Sequence, residues 1–491
     1  MNVYQYCSRL RRWLLYSCCW LVAGSSLGLA RSPNLVIILT DDMGYADLRA
    51  FGPSEIPTPH LDRLAAEGTR CTHAYTAAPI CVPARMALLS GRYPARFGIY
   101  NNTYLAEHNR IWLEQTTLAD ILKQSDYLNA NVGKWHLSGN QKASTGDTRG
   151  GFIFKPPHER GFDEFVGITG GMDNFWPGTE LARLSEGRYQ RFPAPEYLTD
   201  FFGTEACEFI ERHAAQPFFL YLAFNAPHAP LQALDEDQRN LEGPALSRDR
   251  RTYAAMIRAI DRNVGRVLDK LDTLKLTNET LVIFLNDNGG GGNNAAEHTR
   301  NTARNHPFRG HKFDLWEGGI RIPMILRWPG RIPAAGVFNE LVSSMDLVPT
   351  VTALLQDSAA SDTEARRAFD GVDLLPYLQH KRSGAPHDHL CWQQQLWLRP
   401  NERRLPALSS GPYYQLAIRQ GRWKAVKQDQ PYDGRNPERA WELYDLLQDP
   451  AELNDMASEF PEVVEDLQQT FFQWQAQMTP PPASPTPKAP R

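Results

Sequence analysis

The 491 residues exceed what one small core organises, and suggest a large domain with a smaller companion. Apolar residues make up 42% and charged residues 22%, the balance of a folded globular chain rather than a disordered one. With 52 basic against 56 acidic residues the net charge is −4, which argues against a general nucleic-acid binder and leaves room for a local cationic pocket.

The chain opens with Arg9, Arg11 and Arg12 ahead of an apolar stretch, Trp13 to Leu29, and the small residues Gly28 and Ala30. This is the layout of an export signal over residues 1–30, with the periplasm or the exterior as destination. An uncleaved anchor is the alternative, because the stretch is near the lower length for a span. Three continuous apolar runs follow, each ending in polar residues. Leu35–Leu39 leads into Thr40-Asp41-Asp42, Phe218–Phe224 into Asn225-Ala226-Pro227-His228, and Leu281–Leu285 into Asn286-Asp287-Asn288-Gly289. Such runs suit central strands of a parallel sheet covered on both faces. Helical patterns lie between them at Pro59–Glu67, Thr117–Gln124 and Thr252–Leu276, the last with Ile257, Ile260, Val264, Val267, Leu268 and Leu271 on one stripe.

Alternating strands and helices predict an α/β fold, a large and mainly parallel central sheet flanked by helices, over residues 31–373. Ligands of such sheets sit beyond the carboxyl ends of the strands, so the three polar clusters are expected around one crevice. Residues 374–478 read as a small α+β domain. Ile418–Val426 is a hairpin with a Gly turn, Trp441–Leu446 a strand, and Pro461–Met478 a closing helix with Pro at its first turn. The Pro-rich tail, 479–491, is expected to be disordered.

Cys7, Cys18 and Cys19 fall in the leader, which leaves Cys71, Cys81, Cys207 and Cys391 without a CxxC pair. Zinc ligation and a disulfide framework are both disfavoured. Adjacent carboxylates at Asp41 and Asp42 repel, so their joint ionisation favours a nearby cation. With Asp287 and Asn288 they form an all-oxygen set suited to Ca²⁺ or Mg²⁺, although Asp-Asn-Gly is also a common turn. Gly289 allows the bend after them. Gly291 and Gly292 read as flexible loop. Lys134 and His136 are two apart, which on an extended backbone puts them on one side; exposed polar residues of an edge strand would look the same. Prolines flank His228 and stiffen its loop, and Lys312 precedes Phe313-Asp314-Leu315-Trp316-Glu317-Gly318-Gly319.

The most specific segment is Cys81-Val82-Pro83-Ala84-Arg85 followed by Leu88-Leu89-Ser90-Gly91-Arg92, after a mobile-looking stretch, Thr76–Ile80. Together with Asp41-Asp42-Met43-Gly44, Gly133-Lys134-Trp135-His136-Leu137, Pro227-His228-Ala229-Pro230, Asp287-Asn288-Gly289 and Lys312 ahead of Trp316-Glu317-Gly318-Gly319, it closely resembles the formylglycine-dependent sulfatases of the alkaline-phosphatase-like superfamily. The pieces occur in family order between about Pro33 and Met478. Ala84 and Ser138 depart from the usual Ser and Gly without removing a catalytic side chain.

The resemblance implies that Cys81 is oxidised to formylglycine by a dedicated maturation enzyme, and that its hydrate is the nucleophile. It implies one Ca²⁺ held by Asp41, Asp42, Asp287, Asn288 and the modified Cys81. Arg85 and Lys134 would hold the modified residue, and Asp287 would assist removal of its proton. Lys134, His228 and Lys312 would contact the sulfate, His228 or Lys312 would protonate the leaving alcohol, and His136 would take the proton that releases sulfate. The expected activity is hydrolysis of a sulfated carbohydrate or related sulfate monoester. A phosphonate or phosphate ester hydrolase with the same nucleophile and a non-catalytic glycan-binding relative are the alternatives. Gly170–Trp176, His306, Arg309, His311, Trp392 and Trp397 are candidate sugar contacts, with ordinary packing as the competing reading. Asn101 and Asn278 begin glycosylation patterns, relevant only in a eukaryotic source.

Overall fold

The computed structural model describes residues 32–102, 115–137, 156–171, 174–185, 187–239, 241, 246–291, 302–355, 369–397, 412–428 and 440–481. The expected leader, Ser138 and all but the start of the tail lie outside the described residues. A ten-stranded sheet crosses the molecule. Its centre is five strands, β1 (Asn34–Thr40), β2 (Leu128–Lys134), β3 (Glu164–Ile168), β4 (Phe218–Ala223) and β5 (Thr280–Asn286), parallel to one another in the order β5-β1-β4-β2-β3. Antiparallel strands extend it on both sides, Met324–Arg327 beside β5 and the hairpin Glu180–Ser185/Arg188–Pro193 beside β3.

The continuous apolar runs have the cause inferred from sequence. In β1, Leu35, Ile37 and Leu39 enter one core while Val36 and Ile38 enter the other, and β4 and β5 divide in the same way. Helices Pro59–Glu67, Leu198–Arg212 and Arg248–Thr273 cover the second face. The last begins four residues before the expected Thr252, because the Ser247 hydroxyl caps it by accepting from Arg250 N at 3.1 Å. The first face is covered by the helix Cys81–Ser90 and by the C-terminal sheet β6 (His389–Trp397), β7 (Pro412–Gln420), β8 (Trp423–Gln428) and β9 (Glu442–Asp445) with its closing helix Pro461–Gln475. This antiparallel sheet therefore shares a core with the large one.

Three sequence expectations change. Thr76–Ile80 is buried throughout rather than mobile, since it lies under the C-terminal sheet, where Trp392 Nε1 donates to Thr76 O at 2.7 Å. Asn101 is buried, and its side-chain amide donates to Gln395 O at 2.7 Å, which leaves no room for a glycan; Asn278 is exposed. Strand β2 is interior, between β4 and β3, not an edge. Among the described residues no helix is long and apolar enough to cross a membrane, and Cys71, Cys81, Cys207 and Cys391 are buried free thiols.

Phe471, on the closing helix, is fully buried and packs edge-on against Trp441 at 5.4 Å. Phe471→Ala is expected to cost about 3–5 kcal/mol of unfolding free energy, measured by denaturant titration, through lost burial and the cavity left behind.

Candidate active site

Four adjacent parallel strands, β5, β1, β4 and β2, end side by side, and each end carries a site residue. Asp41 and Asp42 follow β1, Asp287 and Asn288 follow β5, Lys134 closes β2, and His228 lies in the turn after β4. Asp287 N donates to Thr40 O and Asp41 N to Ala226 O, both at 3.1 Å, so neighbouring loops continue the sheet's hydrogen bonding past its edge. Gly289 permits this packing, because a side chain there would meet Gly318 O at 1.9 Å. Gly291 is tied as well, its N–H donating to Asp42 O at 3.3 Å, so the flexible-loop reading fails for it; Gly292 lies outside the described residues.

The Asp41-Asp42 turn rests on a buried polar layer that the sequence reading missed. Asp42 has φ +66°, a left-handed conformation that Asp tolerates better than most residues. Beneath it, Tyr253 Oη lies 2.9 Å from Asp47 Oδ2 and 3.2 Å from Asp42 O, and accepts from Gly44 N at 3.1 Å. Arg250 pairs with Asp47 at 2.6 Å. The only sequence signal was polar residues, Arg250 and Tyr253, within an otherwise apolar helical stripe.

Cys81 is the first residue of a helix whose ten residues are all buried. Its Sγ is 3.5 Å from Asp41 Oδ1. Burial pushes the thiol well above its ordinary pKa despite Lys134 and Lys312 nearby, so an unmodified Cys81 is a poor thiolate nucleophile. One helical turn on, Arg85 donates to Asp287 Oδ2 from Nε at 3.1 Å and from Nη2 at 2.9 Å, and to Lys134 O at 3.1 Å. Lys134 Nζ sits 2.5 Å from Asp41 Oδ2, and Lys312 Nζ 2.7 Å from Asp42 Oδ2. His228 Nε2 lies 3.1 Å from Lys312 Nζ and 3.4 Å from Asp42 Oδ2. Burial raises the Asp41 carboxyl, but Lys134, His228, Arg85 and Lys312 outweigh it and hold its pKa well below the ordinary value. Asp287 goes the other way: burial, then repulsion from Asp41, pushes it up to about 7 against the pull of Arg85.

His136 reaches the site by a different route from the one expected. Strand β2 stops at Lys134, and His136 has φ +57°, so an extended backbone does not pair the two side chains. The imidazole lies against Gly171, where a Cβ would come within 2.7 Å of its Nε2. Its pKa is held well below the ordinary value by burial, then by Lys134 and Arg85, which keeps the ring neutral and able to accept a proton.

The donor set is compatible with a metal site. Potential ligand atoms of Asp41, Asp42, Cys81 and His228 lie within 4.8 Å of one another. Asn288 donates its amide N–H to Asp42 Oδ1 at 2.8 Å, while its Oδ1 is buried without a hydrogen-bond partner. A buried amide oxygen left over beside carboxylates is what an oxygen-ligated ion would satisfy. Of the candidate sugar contacts, Phe175 and Trp392 are buried in the cores and are not available to a ligand, Trp176 and His311 are partly exposed, and His306 and Arg309 are exposed. Met172, Asp173 and the Trp397 side chain lie outside the described residues.

Comparison with known proteins identifies the family. The sulfatase family profile matches residues 33–358, and the profile of the N-sulphoglucosamine sulphohydrolase C-terminal region matches 306–477. N-acetylgalactosamine-6-sulfatase of Canis lupus familiaris is 37% identical over 373 residues, 71% of this chain and 66% of that protein, so the chain spans just under two thirds of its length. Arylsulfatase A of Homo sapiens is 32% identical over 91% of this chain and 89% of its own. The solved structure of Ps i-CgsB in complex with k-i-k-neocarrahexaose superposes with a TM-score of 0.77 at 30% identity, covering 92% of this chain and 95% of that one.

Tyr253→Phe removes the hydroxyl that joins Asp42, Gly44 and Asp47. It is expected to cost about 1–3 kcal/mol in denaturant unfolding, the penalty for leaving buried polar groups unpaired.

Proposed function

The chain belongs to the sulfatase family, and on that premise we propose that it hydrolyses sulfate monoesters of a carbohydrate, releasing inorganic sulfate. One observation carries the reading: Cys81 lies against Asp41 inside a ring of Lys134, Lys312, His228 and Arg85, in a buried cluster whose Asp41, Asp42, Cys81 and His228 could hold a metal ion. A buried thiol of raised pKa is of little use there as it stands. As formylglycine, hydrated, the same position supplies one hydroxyl to bond to sulfur as the ester S–O bond breaks and a second whose deprotonation later frees sulfate. A calcium ion held by Asp41, Asp42, Asp287 and Asn288 would supply fixed positive charge for the nucleophile and the sulfate oxygens.

The chain's own residues account for the remaining work. Lys134 and Lys312, each on an aspartate, place positive charge where the sulfuryl oxygens gain negative charge in the transition state. Arg85 fixes Asp287, whose carboxylate receives the nucleophile's proton. His228 and Lys312 stand together at the more open side of the cluster and protonate the departing alcohol. His136, neutral and partly exposed, accepts the proton that precedes sulfate release.

A carbohydrate substrate is supported by the names of two relatives, N-acetylgalactosamine-6-sulfatase and a structure holding neocarrahexaose. Galactose-configured, sulfated sugars are therefore the first substrates to try. Export, the matching location for a polysaccharide-degrading enzyme, rests on the leader sequence alone.

The test is a comparison of kcat/KM on matched sulfate and phosphate monoesters, aryl and galactosyl, in calcium. The sulfate ester is expected to lead by on the order of 10²-fold or more. His136→Ala is expected to lower kcat by about 10²–10⁴-fold. A preference for the phosphate ester, or turnover that survives Cys81→Ala, would overturn the reading.

A further inference from the structure

We propose that Lys424, on the C-terminal sheet, is a positioning residue for the active-site segment that carries Lys312. The proposal deepens the functional reading, because it concerns a lysine which that reading places on the sulfate.

Lys424 lies on β8 and is fully buried. Its Nζ is 3.0 Å from Glu317 Oε1 and 2.8 Å from Glu452 Oε1. Glu452 Oε2 accepts from Glu317 N at 2.7 Å, so the two acids and the lysine close a ring. Both acids are also fully buried. Tyr75 and Arg321 add to Glu317 at 2.5 and 3.3 Å. Burial raises Glu317, but Lys424, Arg419 and Arg321 outweigh it and hold it down to about 2, so the ring keeps a charge that only its partners make tolerable in the interior.

The ring lies directly behind the site. Glu317 begins a single helical turn, Glu317–Ile320, and that turn is bonded to two parts of the site at once. Gly289 N donates to Gly319 O at 2.9 Å, next to Asp287 and Asn288, and Gly318 N donates to Arg309 O at 2.7 Å, at the start of the Lys312 segment. Lys312 N in turn donates to Gly290 O at 3.1 Å. The C-terminal sheet holds this segment at further points. Gln415 of β7 accepts from Leu315 N at 2.9 Å, Tyr444 of β9 packs edge-on against Trp316 at 5.5 Å, and Arg309 donates to Glu452 O at 3.1 Å. The backbone around Lys312 is thus set by residues from three strands of a sheet that contributes none of the predicted catalytic residues. Such a buried charged ring is costly to assemble and fails as a unit when one member is lost, which suits fixing one arrangement.

The experiment is hydrogen exchange of Lys424→Met against the unsubstituted protein, read by mass spectrometry at the amides of Gly289, Lys312, Gly318 and Gly319. Protection there is expected to fall on the order of tenfold or more while the helix Cys81–Ser90 keeps its own. Equal protection in segment and helix overturns the proposal. If Lys424→Met does not fold, Glu452→Gln, which keeps the size but replaces one of the two accepting oxygens with a donor, is read in the same way. A double-mutant cycle on kcat/KM for a sulfate ester then links position to catalysis. Lys424→Met is expected to cost little once Lys312→Ala is present, whereas additive losses would mean a merely structural role and would also overturn it. Absence of turnover in the unsubstituted protein would defeat the sulfatase reading and leave the exchange result to decide the positioning role alone.

Discussion

Three carboxyl groups, Asp41, Asp42 and Asp287, are buried within reach of one another at the ends of two neighbouring strands, and they must be neutralised in place. Each is met by a different cation: Lys134 on Asp41, Lys312 on Asp42 and Arg85 on Asp287. These cations come from three separate parts of the chain, so the compensation fixes the site's geometry. It draws the end of β2, the Cys81 helix and the Lys312 segment onto the ends of β1 and β5. The same charges serve the chemistry. In the proposed reaction, the negative charge that grows on the sulfuryl oxygens would meet lysines already oriented, at no cost of reorganisation.

The arrangement also explains why an ordinary cysteine would be a poor choice at position 81. The thiol is enclosed and faces a carboxylate, so its ionised form is disfavoured even with two lysines nearby. A hydrated aldehyde needs no ionisation in the resting enzyme. It also brings two oxygens to a place lined by oxygen ligands and cations. The surroundings therefore suit the proposed modified form better than the thiol.

The sheet was legible in the sequence because its central strands are buried on both faces and so read as unbroken apolar runs. Their polar endings marked the crevice, since a parallel sheet collects strand ends at one edge. His228 was marked by its place after a buried strand and Lys134 by its spacing from His136, whereas Lys312 was legible only through family resemblance, because a single polar residue carries no periodicity. His136 was placed at the site by an extended-backbone argument that the turn at φ +57° replaces. The Tyr253–Asp47–Arg250 layer and the Glu317–Lys424–Glu452 ring were not legible. Their members lie as much as 206 residues apart in the first and 135 in the second, and nothing in the local pattern distinguishes a buried Glu or Lys from a solvated one. The small C-terminal sheet read as a separate unit for the same reason: its shared core appears only when the chain is folded.

The central claim is that Cys81 works as formylglycine. The most direct measurement is tandem mass spectrometry of the tryptic peptide Cys71–Arg85, from protein purified from its own host, with fragments that separate position 81 from Cys71. The account predicts an aldehyde or its hydrate at 81 and an intact thiol at Cys71. An unmodified thiol at 81 in material that hydrolyses sulfate esters would contradict it.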